Sequence, residues 1–156
     1  MTIKVFKELS ETVGFTGKCT IENDTSIRHY HEGKHHRTDG PAIERNGAKF
    51  WYIHGKPHRT DGPALEFSNG SKEWWVDGKL HRVDGPACVY VSGAKSWWLN
   101  GDRHRLDGPA VEAANGEKSW YVDGEKYTQA EFNNMRDKLN ETQKFASISK
   151  IPDDFS

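Results

Sequence analysis

The sequence is poor in the residues that mark most familiar classes of protein. Only two cysteines, Cys19 and Cys88, occur in 156 residues. That is too few for a disulfide-stapled secreted scaffold and suits reduced thiols in a cytoplasmic protein. No run of about 18 apolar residues exists, so no membrane-spanning helix is encoded. The stretch from Met1 to Ser10 carries Lys4, Lys7 and Glu8 and lacks an apolar signal core. An excess of one charge is also missing, since 22 Lys and Arg stand against 23 Asp and Glu. The balance holds locally, with four bases and five acids before Lys34 and the same numbers after Lys126. Such a chain has no basic tail for nucleic-acid backbones and no general attraction to anionic lipid. Aliphatic residues are scarce as well. Apolar residues make up 34% of the chain, yet six are Trp. Few aliphatics and many rings fit a thin fold that buries a narrow seam between neighbouring units.

What the sequence has in place of these is a repeat. His-Arg-x-Asp-Gly-Pro-Ala occurs four times, beginning at His36, His58, His81 and His104, at intervals of 22, 23 and 23 residues. A fixed period in the range of about 20–50 residues marks a repeat architecture. Trp51, Trp74, Trp97 and Trp120 keep step with it, as do Asn46-Gly47, Asn69-Gly70, Ser92-Gly93 and Asn115-Gly116. The first unit is one residue short between Ala42 and Asn46, beside a turn that can absorb the loss.

Each unit holds two hairpin signals, the Asn-Gly or Ser-Gly pair and a second at His54-Gly55, Asp77-Gly78, Asn100-Gly101 or Asp123-Gly124. Such pairs tolerate the positive φ of tight two-residue turns. Short β-prone runs such as Lys72-Glu73-Trp74-Trp75-Val76 lie between them. The Gly-Pro step of the motif adds a bend, because Pro cannot donate to a ladder. Gly or Pro every few residues excludes long helices from this region. The expected fold is all-β: an elongated, twisted antiparallel sheet of stacked hairpins of about 23 residues. Equivalent positions would lie roughly 9–10 Å apart, two strand spacings.

The flanks differ. Residues 1–33 read as entry strands, at Ile3–Phe6 and Lys18–Ile21, followed by a degenerate repeat. His29-Tyr30-His31-Glu32-Gly33-Lys34 aligns with Trp74-Trp75-Val76-Asp77-Gly78-Lys79. Residues 34–127 hold the four units. After Tyr127, Thr128 and Glu131 have capping-box spacing, and Phe132, Met135 and Leu139 share one helical face. A capping helix is expected from about Gln129 to Phe145 within 128–145, and a loose tail over 146–156.

The pattern Gly-x-Lys-x-Trp-Trp-x-x-Gly-Lys-x-His resembles the membrane occupation and recognition nexus (MORN) repeat, from Gly33 to Tyr127. After the His, where the usual repeat continues Gly-x-Gly, this chain has Arg-x-Asp-Gly-Pro-Ala. It therefore looks like the variant MORN-like class of bacterial, phage and giant-virus genomes. The resemblance implies stacked hairpins with aromatic side chains along one face and partners bound there. Relatives of this class include proteins regarded as antitoxin components, which makes inhibition of another protein the natural expectation.

Strand alternation divides the rings. Trp51 with Ile53, Trp74 with Val76, Trp97 with Leu99 and Trp120 with Val122 form an apolar face, read as core. Tyr52, Trp75, Trp98 and Tyr121 lie on the other face amid polar neighbours and make a candidate binding row. The opposite assignment, or packing of both sets between units, stays open. Arg59, Arg82 and Arg105 with His58, His81 and His104 form a second candidate column. It either closes its own turns through Asp61, Asp84 and Asp107 or engages an acidic protein, a nucleotide or nucleic acid. No metal site is expected, since one unit supplies one His and one Asp and equivalent positions are too far apart for shared zinc ligation. Cofactors are not expected either. Cys88 fills the slot of Ile43, Leu65 and Val111, and candidate catalytic residues recur in every unit where an enzyme needs one asymmetric constellation. The reading is a non-catalytic scaffold that binds a protein, with self-association through edge strands also open.

Overall fold

The computed structural model describes residues 4–6, 13–21 and 24–148. It is an all-β chain of hairpins closed by a C-terminal helix. One long sheet takes two short strands from each unit: Ile43–Arg45 and Ala48–Phe50, Leu65–Glu66 and Lys72–Glu73, Cys88–Val89 and Lys95–Ser96, Val111–Glu112 and Lys118–Val122. All these pairings are antiparallel. At the entry, strand Asp24–His31 joins Ile43–Arg45, and Gly17–Ile21 joins it on the other side. Strand Lys4–Phe6 then adds in parallel, a departure from the antiparallel expectation. Ile3, the first residue of the expected Ile3–Phe6 strand, lies outside the described residues.

A second row of hairpins runs alongside: Tyr52–Ile53 with Lys56–Pro57, Trp75–Val76 with Lys79–Leu80, and Trp98–Leu99 with Asp102–Arg103. Backbone bonds stitch them together. Arg59 N–H donates to Trp75 O at 3.0 Å and Gly78 N–H to Pro57 O at 2.9 Å, and the pattern recurs from Arg82 to Trp98 and from Gly101 to Leu80. At the corner between the rows, the N–H groups of Trp51, Trp74 and Trp97 donate to the carbonyls of Ala64, Ala87 and Ala110 at 2.7–2.8 Å. Ala42, Ala64, Ala87 and Ala110 are wholly buried. The invariance of Ala within the motif follows, because a larger side chain would push the rows apart.

The turns explain the short first unit. The two-residue turn expected at each Asn-Gly forms only at Asn46-Gly47, where both residues have positive φ and Arg45 pairs with Ala48. In the other units Phe67 N–H bonds Ser71 O, Tyr90 bonds Ala94 and Ala113 bonds Glu117, which encloses three residues ending in a positive-φ glycine. Three-residue hairpins of this kind are the next commonest after primed two-residue turns. The missing residue has simply exchanged one turn type for the other. The second turn of every unit keeps the two-residue form, from His54-Gly55 to Asp123-Gly124.

Residue register sorts the long sheet into two faces. Cys19, Arg28, Ile43, Phe50, Leu65, Glu73, Cys88, Ser96, Val111 and Ser119 face one another in a single column. Cys19 and Cys88 are buried in it, and burial raises the pKa of both thiols. The adjoining column on the other face is Glu44, Lys49, Glu66, Lys72, Val89, Lys95, Glu112 and Lys118. Charge alternates along it except at Val89.

Helix α1, Gln129–Ile148, closes the last hairpin and runs past the Phe145 end expected from the sequence. Residues 149–156, the remainder of the expected tail, lie outside the described residues. The capping box forms as read: Thr128 N–H donates to Glu131 Oε2 at 2.8 Å and Glu131 N–H to Thr128 Oγ1 at 3.3 Å. Of the helical apolar face, Phe132 is sealed at 1% exposure, whereas Leu139 is 44% exposed. The anchor is therefore the first turn.

Candidate functional site

The repeated loop is built as a closed circuit. Arg59 Nε donates to Asp61 Oδ1 at 2.8 Å and Arg59 Nη1 to the Pro63 carbonyl at 3.2 Å, while the guanidinium lies 4.0 Å from the Trp51 ring. The same contacts join Arg82 to Asp84, Pro86 and Trp74, and Arg105 to Asp107, Pro109 and Trp97. Arg37 repeats the carboxylate and carbonyl bonds with Asp39 and Pro41, although His29 replaces the Trp. These hydrogen bonds hold the carboxyls of Asp39, Asp61, Asp84 and Asp107 below their ordinary range. The local i, i+2 pairing anticipated from the sequence is thus present in all four units.

The histidines link successive units. His58 Nδ1 lies 2.8 Å from Asp77 Oδ1, His81 Nδ1 2.9 Å from Asn100 Oδ1, and His104 Nδ1 2.7 Å from Asp123 Oδ1. Each therefore clasps the second turn that follows it in the chain. The second turn glycines pack over the preceding unit too: a Cβ on Gly78 would sit 3.5 Å from the stem of Lys56.

The two ring sets do not divide as expected. The face of Trp51, Trp74 and Trp97 is not a sealed core; every one of these rings is half-buried. With Ile53, Val76 and Leu99 they floor three open grooves between successive loops, of about 710, 620 and 560 Å³. The reason is stacking: each Trp spends one face on an arginine in place of apolar neighbours. Tyr52, Trp75, Trp98 and Tyr121 are half-buried as well, not an open row. Trp75 faces Leu80 across its hairpin and Trp98 faces Arg103. Their indole N–H groups donate to Glu73 Oε2 at 2.9 Å and Ser96 Oγ at 2.7 Å, so they bend toward the inner column of the long sheet. The structure brings Arg59, Arg82, Arg105 and His58, His81, His104 together with the Trp51 set, not with the Tyr52 set.

The grooves are not equal. Their rims are Thr38 and Thr60, then Thr60 and Val83, then Val83 and Leu106. Val83 is 83% exposed and Leu106 47% exposed. Among the described residues, Arg82 is also the one loop arginine with no glutamate beside it. Arg37, Arg59 and Arg105 have Glu44, Glu66 and Glu112 at 3.7, 3.2 and 3.2 Å. At the corresponding place Arg82 has Val89, whose cross-strand neighbours are Lys72 and Lys95. The sequence carried this signal, since Val89 breaks an otherwise regular Ala-x-Glu, but it becomes meaningful only once the glutamate is seen against the arginine. A Val89→Glu variant should gain up to about 1 kcal/mol, because it completes opposite-charge pairs with both lysines and with Arg82. Chemical denaturation should show a higher midpoint at unchanged slope, with the gain shrinking in salt.

At the entry unit, burial lowers the pKa of His35, helped by the charge of Arg28. Burial lowers that of His29 likewise, helped by Arg37. A histidine with a depressed folded pKa binds fewer protons folded than unfolded. Its contribution to stability is complete above the ordinary value of about 6.5 and falls as pH drops below it toward the folded value. Thermal midpoints should accordingly decline from pH 7 to pH 5. A flat profile would show that neither ring is held neutral.

No protein-family model matches the sequence, and no curated protein is similar to it. No helix among the described residues is long and apolar enough to cross a membrane.

Proposed function

We propose that this chain is a non-catalytic repeat scaffold of the variant MORN-like class, which binds a partner protein in the cytoplasm through its loop-lined grooves. The observation that carries the reading is the gradient along the grooves. Three sites of one construction end in one whose rim is Val83 and Leu106 and whose Arg82 has its aspartate but not the glutamate that pairs with its counterparts. A partner that offers an apolar side chain beside an Asp or Glu would fill both gaps. Half-exposed Trp and Arg are the side chains that most often dominate interface energy. By its resemblance, the protein acts as a phage-type inhibitor or antitoxin-like factor, occupying the surface of a host or toxin protein.

Sequestration of a nucleotide or nucleic acid by the Arg and His column has less support. Each guanidinium already engages a carboxylate, a carbonyl and, in three units, a ring, and each His from unit two onward holds a turn. Phosphate binding depends on Lys and Arg that are free to neutralise phosphates and displace their counterions.

The test uses the natural variation between units. Val83→Thr with Leu106→Thr restores the rims of the earlier grooves at exposed loop tips. The proteins captured from the native cell by the wild type and by this variant are compared by mass spectrometry, with circular dichroism as a control on folding. A partner lost from the variant while the spectra coincide supports the reading. Identical captures would refute it.

A further inference from the structure

The second turns of the hairpins form a row of their own. The residues that close these turns are, in chain order, Lys34, Lys56, Lys79, Asp102 and Glu125, and all are exposed. The turns stack closely. A Cβ on Gly55, Gly78 or Gly101 would lie 3.5–3.6 Å from the stem of Lys34, Lys56 or Lys79, and one on Gly124 would lie 3.5 Å from Asp102 Oδ1. The charges therefore stand in one line, at intervals of roughly 9–10 Å, two strand spacings.

This line differs from the other charged rows in how its signs fall. Along the column from Glu44 to Lys118 on the long sheet, acid and base alternate from strand to strand except at Val89. In the loops each Arg holds the Asp two residues on. In the turn row three cations come first and two anions last. Among the described residues none of these side chains belongs to an ion pair. Neighbours along the line stand about one Debye length apart, so each charge can take a partner from outside. A row with cations at one end and anions at the other is complementary to itself when reversed. Turned about a two-fold axis at Lys79, it sets Lys34 against Glu125 and Lys56 against Asp102, twice each, the self-complementary contact of a closed dimer. At the axis, Asp77 of each turn meets Lys79 of the other copy. The Lys56–Asp102 pair is the cleaner one, because His54 and Asn100 bring no carboxylate to those turns, whereas Glu32 and Asp123 add acid to the outer pair.

We infer that the chain pairs with a second copy of itself along this row, with the two arrays antiparallel. None of the five residues lines a groove, so the pairing is separate from partner capture. A contact built on exposed charge pairs is weak and falls with salt. The dimer therefore belongs with the small, transient interfaces.

Sedimentation equilibrium of the full chain, at low and at high salt, is the test. The expected result is a monomer–dimer equilibrium that weakens as salt is raised. Lys56→Asp and Asp102→Lys each install a residue that another unit carries at the same place, so both variants should fold, with circular dichroism as the check. Either change puts like charges together at two symmetry-related contacts and should raise the dissociation constant roughly 10-fold or more. An equimolar mixture of the two variants sets opposite charges at both contacts again, as does the double variant, and both should associate as the wild type does. Lys138→Asp, on α1 outside the row, makes the same change of charge and should leave the equilibrium as it is. A chain that stays monomeric at submillimolar concentration in low salt would overturn the inference. So would single variants that associate as the wild type does, a mixture no tighter than its components, or growth past the dimer, which a staggered parallel pairing would give.

Discussion

A Phe132→Ala variant is expected to lose about 3–5 kcal/mol of folding stability, the range for truncating a buried aromatic side chain. Phe132 is 1% exposed and is the largest fully buried side chain among the described residues. It enters from the first turn of α1, where Thr128 and Glu131 fix the approach through their capping box. The described side chains beyond it on the helix are less covered, Leu139 among them at 44% exposure. Removal of this ring leaves the last hairpin, Lys118–Val122 with Glu125–Tyr127, without its lid. A loss of that size is a large share of the roughly 5–15 kcal/mol that stabilises an ordinary domain. Urea denaturation should show the reduced midpoint, and helical ellipticity should fall before the β signal does. A loss below about 1 kcal/mol would show that the helix is an appendage and not a cap.

The second large effect is at the middle of the array. Trp74→Ala should cost about 2–3 kcal/mol, below the usual range for buried Trp because the ring remains half-exposed. Beyond the lost contact, the change strips Arg82 of the face it stacks on at 4.0 Å. Arg82→Ala, measured alone and combined with Trp74→Ala, isolates that interaction in a double-mutant cycle. A coupling of about 0.5–2 kcal/mol is expected for a partly desolvated cation over an indole. Arg82 is the informative choice because Val89 removes the glutamate that would otherwise share in the coupling. A coupling near zero would mean that the arginine is held by Asp84 and Pro86 alone.

The repeat, its hairpins and its capping helix were legible because each depends on local chemistry. Gly at a positive-φ turn position, Pro at a bend and the Thr128-to-Glu131 spacing dictate backbone conformation wherever they fall. Which ring faced solvent was not legible. Strand alternation separates Trp51 from Tyr52 but cannot say which side gains a cover, and here the cover is a charged side chain. Arg59 over Trp51 comes from the next unit's loop, a contact that depends on how units stack. The two turn types within one repeat family were hidden in a single-residue deletion.

The architecture is one of interchangeable units, each held to the next by the same Ala corner, Arg–Trp stack and His clasp. Deletion of residues 65–87 tests this most directly, since it joins Ala64 to Cys88, which stands in the register of Leu65. The shortened chain should keep a cooperative unfolding transition and the same circular dichroism, and small-angle scattering should find it shorter by about 9–10 Å, two strand spacings. A chain that fails to fold, or that folds with its length unchanged, would contradict the modular architecture.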